Sequence, residues 1–516
     1  MPYNWFQKPL RLPKVPHSLE NLSHNFKTTS KFGLVTPIGI EEVVPSDRTL
    51  EYRPCAFIRM SPLLYPIMHQ VHVRFHTFDV PLRILLGEKS YEKWLNSKLE
   101  FPNVRTTYYP MENAPTYDIW TTLGYSRLTI TIDGVPHYYY DMENGLDYLA
   151  IMCIWMNWFA DSQIDDAMIA VCQKEIEDYQ AAVEAGSLTH TLSGSVPYDF
   201  NVRLGKDYFT TARPEPQYGD PVNLTSSPTQ FKGDLMVTGN QVYFNEDGEK
   251  SFLDAGGIGD PDQGLTLDLT IREIWRREQI QRFWDIDNTF GTRTREWLAG
   301  HMGVIFPDDR LMIPRLMQTV DKVMNISEVL QTSETSVDSP LGAYAGKGTL
   351  AISGPSFKRT YLEHGLLITL MSIIPETGYA SSRPRYQFKK SIFDFAIPEF
   401  NNIGYQEIFK GEIFGDEPSV TAKDPWAYTM RYSEYRSHPN RCTNGFAKDA
   451  TLIDFHLNRK FDSLPGLNPA FIDGEQQQFY RIFADEDADM DSFLVDAAII
   501  HRMWRPVSSQ PSSMHL

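Results

Sequence analysis

The sequence has little of what marks a secreted, membrane-spanning or catalytic protein. Its four cysteines, Cys55, Cys153, Cys172 and Cys442, are scattered without CxxC spacing, which argues against a disulfide or zinc framework and indicates a reducing compartment. No charged-then-apolar leader opens the chain, and no apolar run reaches membrane-spanning length, so we expect no membrane insertion. The Gly-x-Ser-x-Gly, Walker and His-Glu-x-x-His motifs of common enzyme classes are also missing.

Positive charge is scarce as well. The 516 residues include 48 lysines and arginines against 66 aspartates and glutamates, a formal net charge of −18. This balance argues against a protein that holds nucleic acid through its overall field. If the chain encloses DNA, a small basic partner or bound cations must neutralise the phosphates.

The composition that is present indicates a loop-rich β protein. Hydrophobic residues make up 42% of the chain, enough for a sizeable core, and 13% of the residues are aromatic. Thirty-four prolines accompany 32 glycines, a mixture typical of short strands joined by long ordered connections.

The prediction of the fold rests mainly on residues 328–413. Residues 366–374 form a run that is apolar except for Thr369 and Ser372, and Pro375 closes it. The run is too short to span a membrane, and its length suits a strand buried on both faces in the core of a sandwich.

Other segments have clear periodicity. Residues 71–76 alternate apolar and polar side chains, which predicts a half-buried strand. Helical spacing predicts helices over 146–163, over 165–185 and, after a gap, within 265–302. Residues 452–457 are expected to form a late strand.

Five short sequence motifs follow one another along the chain. They are FHTFDVPLR at 75–83, WMNWFAD at 155–161, KDYFTTARPEPQ at 206–217, YLEHG at 361–365 and FDFAIPEFNNIGYQEI at 393–408. Together they resemble the major capsid protein of the microviruses, the small icosahedral single-stranded DNA bacteriophages, and the likeness is greatest to the gokushovirus-like branch. One departure is Ala160, where the family usually has an arginine.

The resemblance implies a fold and a role. The fold would be mainly β, a viral jelly-roll β-sandwich of eight antiparallel strands with long loop and helical insertions. Copies would assemble into a T=1 icosahedral shell that encloses a circular single-stranded DNA genome and presents the host-attachment surface. The partners implied are the chain itself, the packaged DNA, a small basic DNA-binding protein, a pilot protein, a scaffolding protein and a host receptor. The protein would be made and assembled in the bacterial cytoplasm and would reside in the virion.

The expected domain organisation has three parts. Residues 1–31 are basic and proline-rich and read as an extended arm, and residues 32–460 form the jelly-roll domain. Within that domain the glycine-rich acidic stretch 218–264 is expected to be a surface protrusion, and 265–302 a helical insertion. Residues 461–516 are expected to be a C-terminal extension.

Two groups of basic residues are candidates for DNA contact, namely Lys8, Arg11 and Lys14 in the arm and Arg383, Arg385, Lys389 and Lys390 in a loop. The loop cations alternate with Tyr386 and Phe388, a pattern that suits phosphates and stacked bases of single-stranded DNA. Each group has a plainer interpretation. The arm could be a solvated terminus that ties neighbouring subunits together, and the loop could pair with acidic residues of a neighbouring subunit.

Candidate catalytic or metal residues are few. His72 and His76 share one strand face, but at about 3.3 Å per residue they stand roughly 13 Å apart and cannot chelate one ion alone. Glu363 and His364 are neighbours whose side chains are expected to diverge. We therefore expect no catalytic residue, cofactor or metal. The alternatives are a non-viral jelly-roll protein that binds or cleaves carbohydrate, and a metal-dependent cupin enzyme.

Overall fold

The structure is a computed structural model of the chain. It describes residues 15–113, 118–216, 236–238, 241–246, 249–253, 271–291, 294–304, 313–330, 344–401, 403–448, 452–484 and 492–507.

Most of the strands are short, and four have eleven or more residues. In chain order they are β1 Ser18–Asn21, β2 His24–Ser30, β3 Thr36–Val43, β4 Arg48–Met60, β5 Val71–Pro81, β6 Asn103–Arg105, β7 Tyr109–Pro110, β8 Leu128–Ile132, β9 Val135–Tyr139, β10 Asp141–Met142, β11 Thr189–Thr191, β12 Met236–Thr238, β13 Gln241–Glu246, β14 Glu249–Leu253, β15 Arg315–Val323, β16 Asn325–Leu330, β17 Tyr344–Ser353, β18 Phe357–Thr360, β19 Gly365–Pro375, β20 Tyr405–Phe409, β21 Pro425–Met430 and β22 Phe493–Arg505.

The helices are α1 Leu82–Leu86, α2 Glu88–Leu95, α3 Ile119–Thr122, α4 Leu146–Ile154, α5 Asp166–Ala185, α6 Ile271–Phe290, α7 Thr294–Met302, α8 Lys410–Ile413, α9 Gly445–Lys448 and α10 Pro469–Ile472. A π-helical turn, Trp155–Phe159, continues α4.

Two antiparallel sheets form the centre of the first compact unit, which comprises Met1–Pro214 and Pro307–Leu516. The larger sheet has the order β1-β22-β4-β17-β16, with β2 also pairing with β22 and β18 with β4. The smaller sheet has the order β15-β5-β19-β3. The predicted sandwich is confirmed. The expected count of eight strands is not confirmed, because these two sheets hold seven and four strands in the described residues.

The two sheets pack face to face through apolar residues and a small polar bridge. The Tyr52 hydroxyl on β4 lies 2.6 Å from the Thr369 hydroxyl on β19, and Thr369 lies 3.0 Å from the Thr77 hydroxyl on β5. All three residues have no exposed surface. Because each hydroxyl has a partner, the polar groups are satisfied although they are cut off from water.

Strand β19 is the predicted apolar run. Of its eleven residues only Leu366 is not fully buried, because both of its faces are covered. One face meets the larger sheet through Thr369. The other face carries Ile368, beside Phe78 of β5, and Phe78 packs against Trp158 and Phe159 of the π-helical turn. A strand covered on both sides has no polar face, and this explains its continuous apolar sequence.

A helical layer covers the outer face of the smaller sheet. The buried helix α4 packs against β19, and α1 packs against β5, β19 and α5. The predicted helix over 165–185 is confirmed as α5, which ends at Gly186 in a left-handed conformation, φ 70°. The predicted helix over 146–163 is shorter, since its regular part ends at Ile154 and the π-turn ends at Phe159.

Both ends of the described chain contribute strands to the larger sheet. Strands β1 and β2 lie within the expected arm 1–31, and β22 lies within the expected extension 461–516. Strand β22 pairs with β4 over nearly its whole length and with β1 and β2 on its other edge. The three-part division of the chain remains a prediction, and the structure adds that its two terminal parts hold sheet strands.

The predicted late strand at 452–457 is wrong. Its central residues, Ile453–Phe455, form a 3₁₀ turn. The turn packs against another 3₁₀ segment, Gln477–Ile482, whose Arg481 guanidinium donates hydrogen bonds to the carbonyl oxygens of Ile453, His456 and Asn458. Hydrogen bonds from a side chain to the backbone therefore replace the backbone pairing of a β-strand here. The alternation of apolar and polar residues in the sequence cannot reveal such bonds.

The second compact unit is Glu215–Phe306. Its described parts are the antiparallel sheet β12-β13-β14, within the expected protrusion 218–264, and the helices α6 and α7, within 265–302. The two helices meet through His301, whose Nε2 lies 2.7 Å from the Asp287 carboxylate and whose ring lies 4.4 Å from the Phe283 ring.

Candidate assembly and DNA-contact surfaces

The loop cation Arg385, a predicted DNA contact, is largely buried, with 14% of its side chain exposed. Its guanidinium donates a 2.8 Å hydrogen bond to Glu412, a buried carboxylate in α8, and sits 4.5 Å above the Phe409 ring. The Tyr208 hydroxyl donates to the same carboxylate at 3.0 Å. Burial raises the pKa of Glu412, and the guanidinium opposes that shift by favouring the charged form.

Lys389 is held in the same way. Its Nζ donates to Glu434 at 3.0 Å and to the Tyr435 hydroxyl at 2.9 Å, and only 5% of its side chain is exposed. Burial works against the charged amine, but the bonds to Tyr435 and Glu434 raise its pKa overall. In the plainer interpretation, the loop cations pair with acidic residues of a neighbouring subunit. The structure instead pairs Arg385 and Lys389 with acidic residues of the same chain.

The other two loop cations are less restrained. Arg383 donates a 3.3 Å hydrogen bond to Gln387 and lies over the Phe388 ring, and the Lys390 side chain is exposed. In the part of the chain that the structure describes, neither forms an ion pair. Lys8, Arg11 and Lys14 lie outside the described residues. DNA contact by all seven cations stays a prediction.

An apolar surface follows the loop cations. The 3₁₀ turns Ile392–Asp394 and Pro398–Phe400 expose large side chains, with Ile392 68% exposed and Phe393 66% exposed. Further exposed side chains here are Tyr386, Phe395 and Ile403. We call residues 386–401 together with Ile403 the aromatic loop. A group of large exposed apolar side chains is typical of an interaction site.

The aromatic loop is held in one conformation by hydrogen bonds. The backbone N–H of Ala396 donates to the Tyr435 hydroxyl at 3.3 Å, and that of Ile397 donates to the Tyr432 hydroxyl at 3.1 Å. Asp394 accepts from two backbone N–H groups at 2.7 Å. The exposed apolar side chains are therefore presented on an ordered scaffold, which lowers the entropy cost of burying them against a partner.

The histidine candidates contact neighbouring side chains of the fold. His72 lies 2.9 Å from Asp321, and burial lowers the pKa of His76 to about 4, so His76 stays neutral near pH 7. Glu363 pairs with Arg83 at 2.9 Å, whereas His364 packs against Trp94, as the expected divergence implies. Within the described ranges, no three histidine, cysteine or carboxylate side chains are arranged to hold a metal.

Sequence reasoning missed a pocket of about 400 Å³ beside α5 and α10, whose largely apolar lining includes several charged side chains. Arg203 bridges two of its carboxylates, reaching Asp473 at 3.2 Å and the buried Asp165 on the other side. Asp199 lines the same pocket, and burial together with the nearby Glu475 raises its pKa to about 7. The residues are up to 308 positions apart, from 165 to 473, and no local motif connects them.

Comparison with known proteins decides between a structural role and the alternatives. Residues 12–513 match the sequence profile of the phage capsid protein (F protein) family. The chain belongs to this family. It is therefore a structural capsid protein, a component of the virion, and its copies assemble into a shell. Among the described residues, no helix has the length and apolar character that crossing a bilayer requires.

Several curated relatives match along most of the chain. Capsid protein VP1 of Bdellovibrio phage phiMH2K is 29% identical over 505 residues, which cover 90% of this chain and 89% of the relative. Capsid protein VP1 of Chlamydia phage 1 is 24% identical and covers 94% and 93%, and that of Spiroplasma virus 4 is 22% identical and covers 92% and 91%. The predicted membership of the microvirus capsid proteins is confirmed. The family is structural rather than enzymatic, so the carbohydrate-active and cupin alternatives lose their support.

Proposed function

We propose that copies of this capsid protein form a T=1 icosahedral shell around a circular single-stranded DNA genome and present the host-attachment surface. The observation that carries the proposal is the aromatic loop, an ordered apolar surface on a chain that belongs to a capsid family. Icosahedral closure requires heterologous contacts between identical chains, and a rigid apolar loop that inserts into a neighbour supplies such a contact.

The double variant Ile392→Ser/Phe393→Ser tests the aromatic loop as a subunit contact. Both side chains are largely exposed, so the variant should fold with little change in stability. Shell yield, scored by electron microscopy, should fall at least tenfold because the apolar contacts are lost.

The matched control is Ile392→Val/Phe393→Leu, which keeps the loop apolar and should assemble as the unsubstituted protein does. Normal shells from the serine variant would show that these side chains do not hold subunits together.

We also propose that a small basic DNA-binding protein accompanies the genome, because a net charge of −18 per subunit repels phosphate. A pilot protein, a scaffolding protein during assembly and a host receptor are further proposed partners. Among the loop cations, Arg383 and Lys390 are the two free to meet DNA without breaking an ion pair within the described chain.

For the stretch 218–264 we propose a surface protrusion that contacts the host. Its support is its acidic, glycine-rich composition and its place in a compact unit, Glu215–Phe306, distinct from the sandwich. Deletion of 218–264 should leave shells visible by electron microscopy and should impair adsorption to host cells. Loss of shells on deletion would instead assign the stretch to assembly.

A further inference from the structure

The larger sheet has one face toward the core and one face toward solvent, and its solvent face is basic. Strand alternation places one set of charged side chains outward from β2, β4, β17 and β22. These are Lys27, Arg48, Glu51, Arg53, Arg59, Lys347, Asp496 and Arg502. Six cations and two carboxylates give this face a charge of +4, on a chain whose total is −18.

Most of these cations have no strong partner. Glu51 lies 3.4 Å from Arg53 and 4.0 Å from Arg502, and both arginine side chains are well exposed. In the described part of the chain, Lys27, Arg48, Arg59 and Lys347 make no ion pair. Lys27 is directly opposite Asp496 in the sheet, but the exposed cations of this face outnumber its carboxylates, so a polyanion laid across them would be favoured.

Two aromatic side chains stand among the cations. Phe57 is 40% exposed beneath the Arg59 guanidinium, 5.1 Å from its ring centre, and Trp504 is 39% exposed. Phe57 is directly opposite Asp496 on β22, eight residues from Trp504, which corresponds to about 26 Å along the strand. A groove of about 600 Å³ passes Phe57, Lys27 and Arg59.

Helix α5, in the layer that covers the smaller sheet on the opposite side of the sandwich, is acidic on its exposed surface. It has four exposed acidic residues and one exposed lysine, and its fifth acid, Glu175, is buried beside His190. The capsid protein is thus polarised, with a basic sheet face on one side of the sandwich and an acidic helix on the other. Such polarity suits a shell subunit whose two sides meet different environments.

We propose that the solvent face of the larger sheet binds single-stranded DNA, with phosphates on its arginines and lysines and unpaired bases stacked on Phe57 and Trp504. Single strands fit better than duplex, because exposed aromatic side chains stack on bases that are free of a complementary strand. This inference rests on the proposed enclosure of single-stranded DNA and names the surface of the subunit that would meet it.

The test is a titration of the full-length protein with fluorescent oligo(dT) of about 16 nucleotides at several salt concentrations. Arg53→Gln/Arg59→Gln/Arg502→Gln should weaken binding at least tenfold and reduce the slope of log affinity against log salt by about 2, at about 0.7 per phosphate contact. The matched control is Lys89→Gln/Lys98→Gln/Lys174→Gln, three exposed lysines of the helical side, which should change affinity by less than about twofold.

A second variant separates stacking from charge. Phe57→Leu/Trp504→Leu should weaken oligo(dT) binding about tenfold without changing the salt slope, and Phe57→Trp should bind as tightly as the unsubstituted protein. This variant keeps the test decisive if the arginine variant fails to fold.

Shell formation, scored in parallel by electron microscopy, distinguishes this inference from the proposed function. Unchanged DNA binding by both variants would overturn the inference. Lost shells with unchanged DNA binding would also overturn it, and would assign the face to contacts between copies of this chain. Tight DNA binding by an unsubstituted protein that never forms shells would contradict the proposed function alone.

Discussion

At the scale of single residues, several charged side chains that the sequence suggests could bind a ligand instead form ion pairs within the protein. Arg385 and Glu412 show this most clearly, because the carboxylate is buried and also accepts bonds from Tyr208 and from the Phe409 backbone N–H. A buried ion pair adds little net stability, but removing one partner leaves the other charge uncompensated.

Glu412→Ala should therefore lower the free energy of unfolding by about 3 kcal/mol, measured by urea denaturation. The double variant Glu412→Leu/Arg385→Leu removes both charges and should lose clearly less. Equal losses for the two variants would show that lost packing rather than the unpaired guanidinium causes the effect.

Asp199 gives a pH-dependent prediction. Its pKa is raised from 3.8 to about 7 in the folded protein by burial and by the nearby Glu475 and Asp118, against the attraction of Lys31. The folded state binds this proton more tightly than the unfolded state, so the stability contributed at low pH is lost as the pH rises from about 4 through about 7.

Asp199→Asn, which stays neutral, should be more stable than the unsubstituted protein by on the order of 1 kcal/mol at pH 8. The difference should shrink below pH 5, where Asp199 is protonated in the folded protein. Urea denaturation at both pH values measures it, and a pH-independent difference would contradict the assignment.

At the scale of elements, the sequence predicts best what local pattern encodes. Strand β19 follows from its apolar run, and α5 follows from helical spacing and the glycine after it. Strand β22 alternates outward Leu494 and Asp496 with buried Val495 and Ala497, a period of two that was available in the sequence. The sequence could not predict the central position of β22 in the larger sheet, because its partner strand β4 lies more than 400 residues earlier in the chain.

Long separation along the chain also explains why the sequence did not predict the basic sheet face or the partners of the loop cations. The cations of the basic sheet face come from strands at both ends of the chain, and no local window brings them together. The loop cations did form a local cluster, but sequence alone could not show that Glu412 and Glu434 neutralise two of them.

The hydroxyl bridge between the sheets gives a prediction at this scale. Thr369→Val leaves the buried Tyr52 hydroxyl without its 2.6 Å partner and should lower the free energy of unfolding by about 2 kcal/mol. Thr369→Val/Tyr52→Phe also removes the Tyr52 hydroxyl and should recover part of that loss, because the buried Thr77 hydroxyl still lacks its 3.0 Å partner. Urea denaturation of both variants checks this, and a double variant no more stable than the single one would contradict it.

At the scale of the whole molecule, the capsid protein combines a two-sheet sandwich with two surfaces for which we propose functions in an assembly. The aromatic loop has exposed apolar side chains without an occupant in the described chain, and the basic sheet face has more cations than carboxylates there. Both features are costly for a solitary subunit, the first in solubility and the second in self-repulsion. Assembly around DNA would offset both.

The central claim is that identical copies close into a T=1 shell, and the mass of the purified full-length protein tests it most directly. T=1 symmetry joins about sixty copies of the 59.3 kDa chain, so sedimentation should show a particle of about 3.6 MDa. A homogeneous species near the mass of one chain, stable at micromolar concentration in the presence of its assembly partners and single-stranded DNA, would contradict the account.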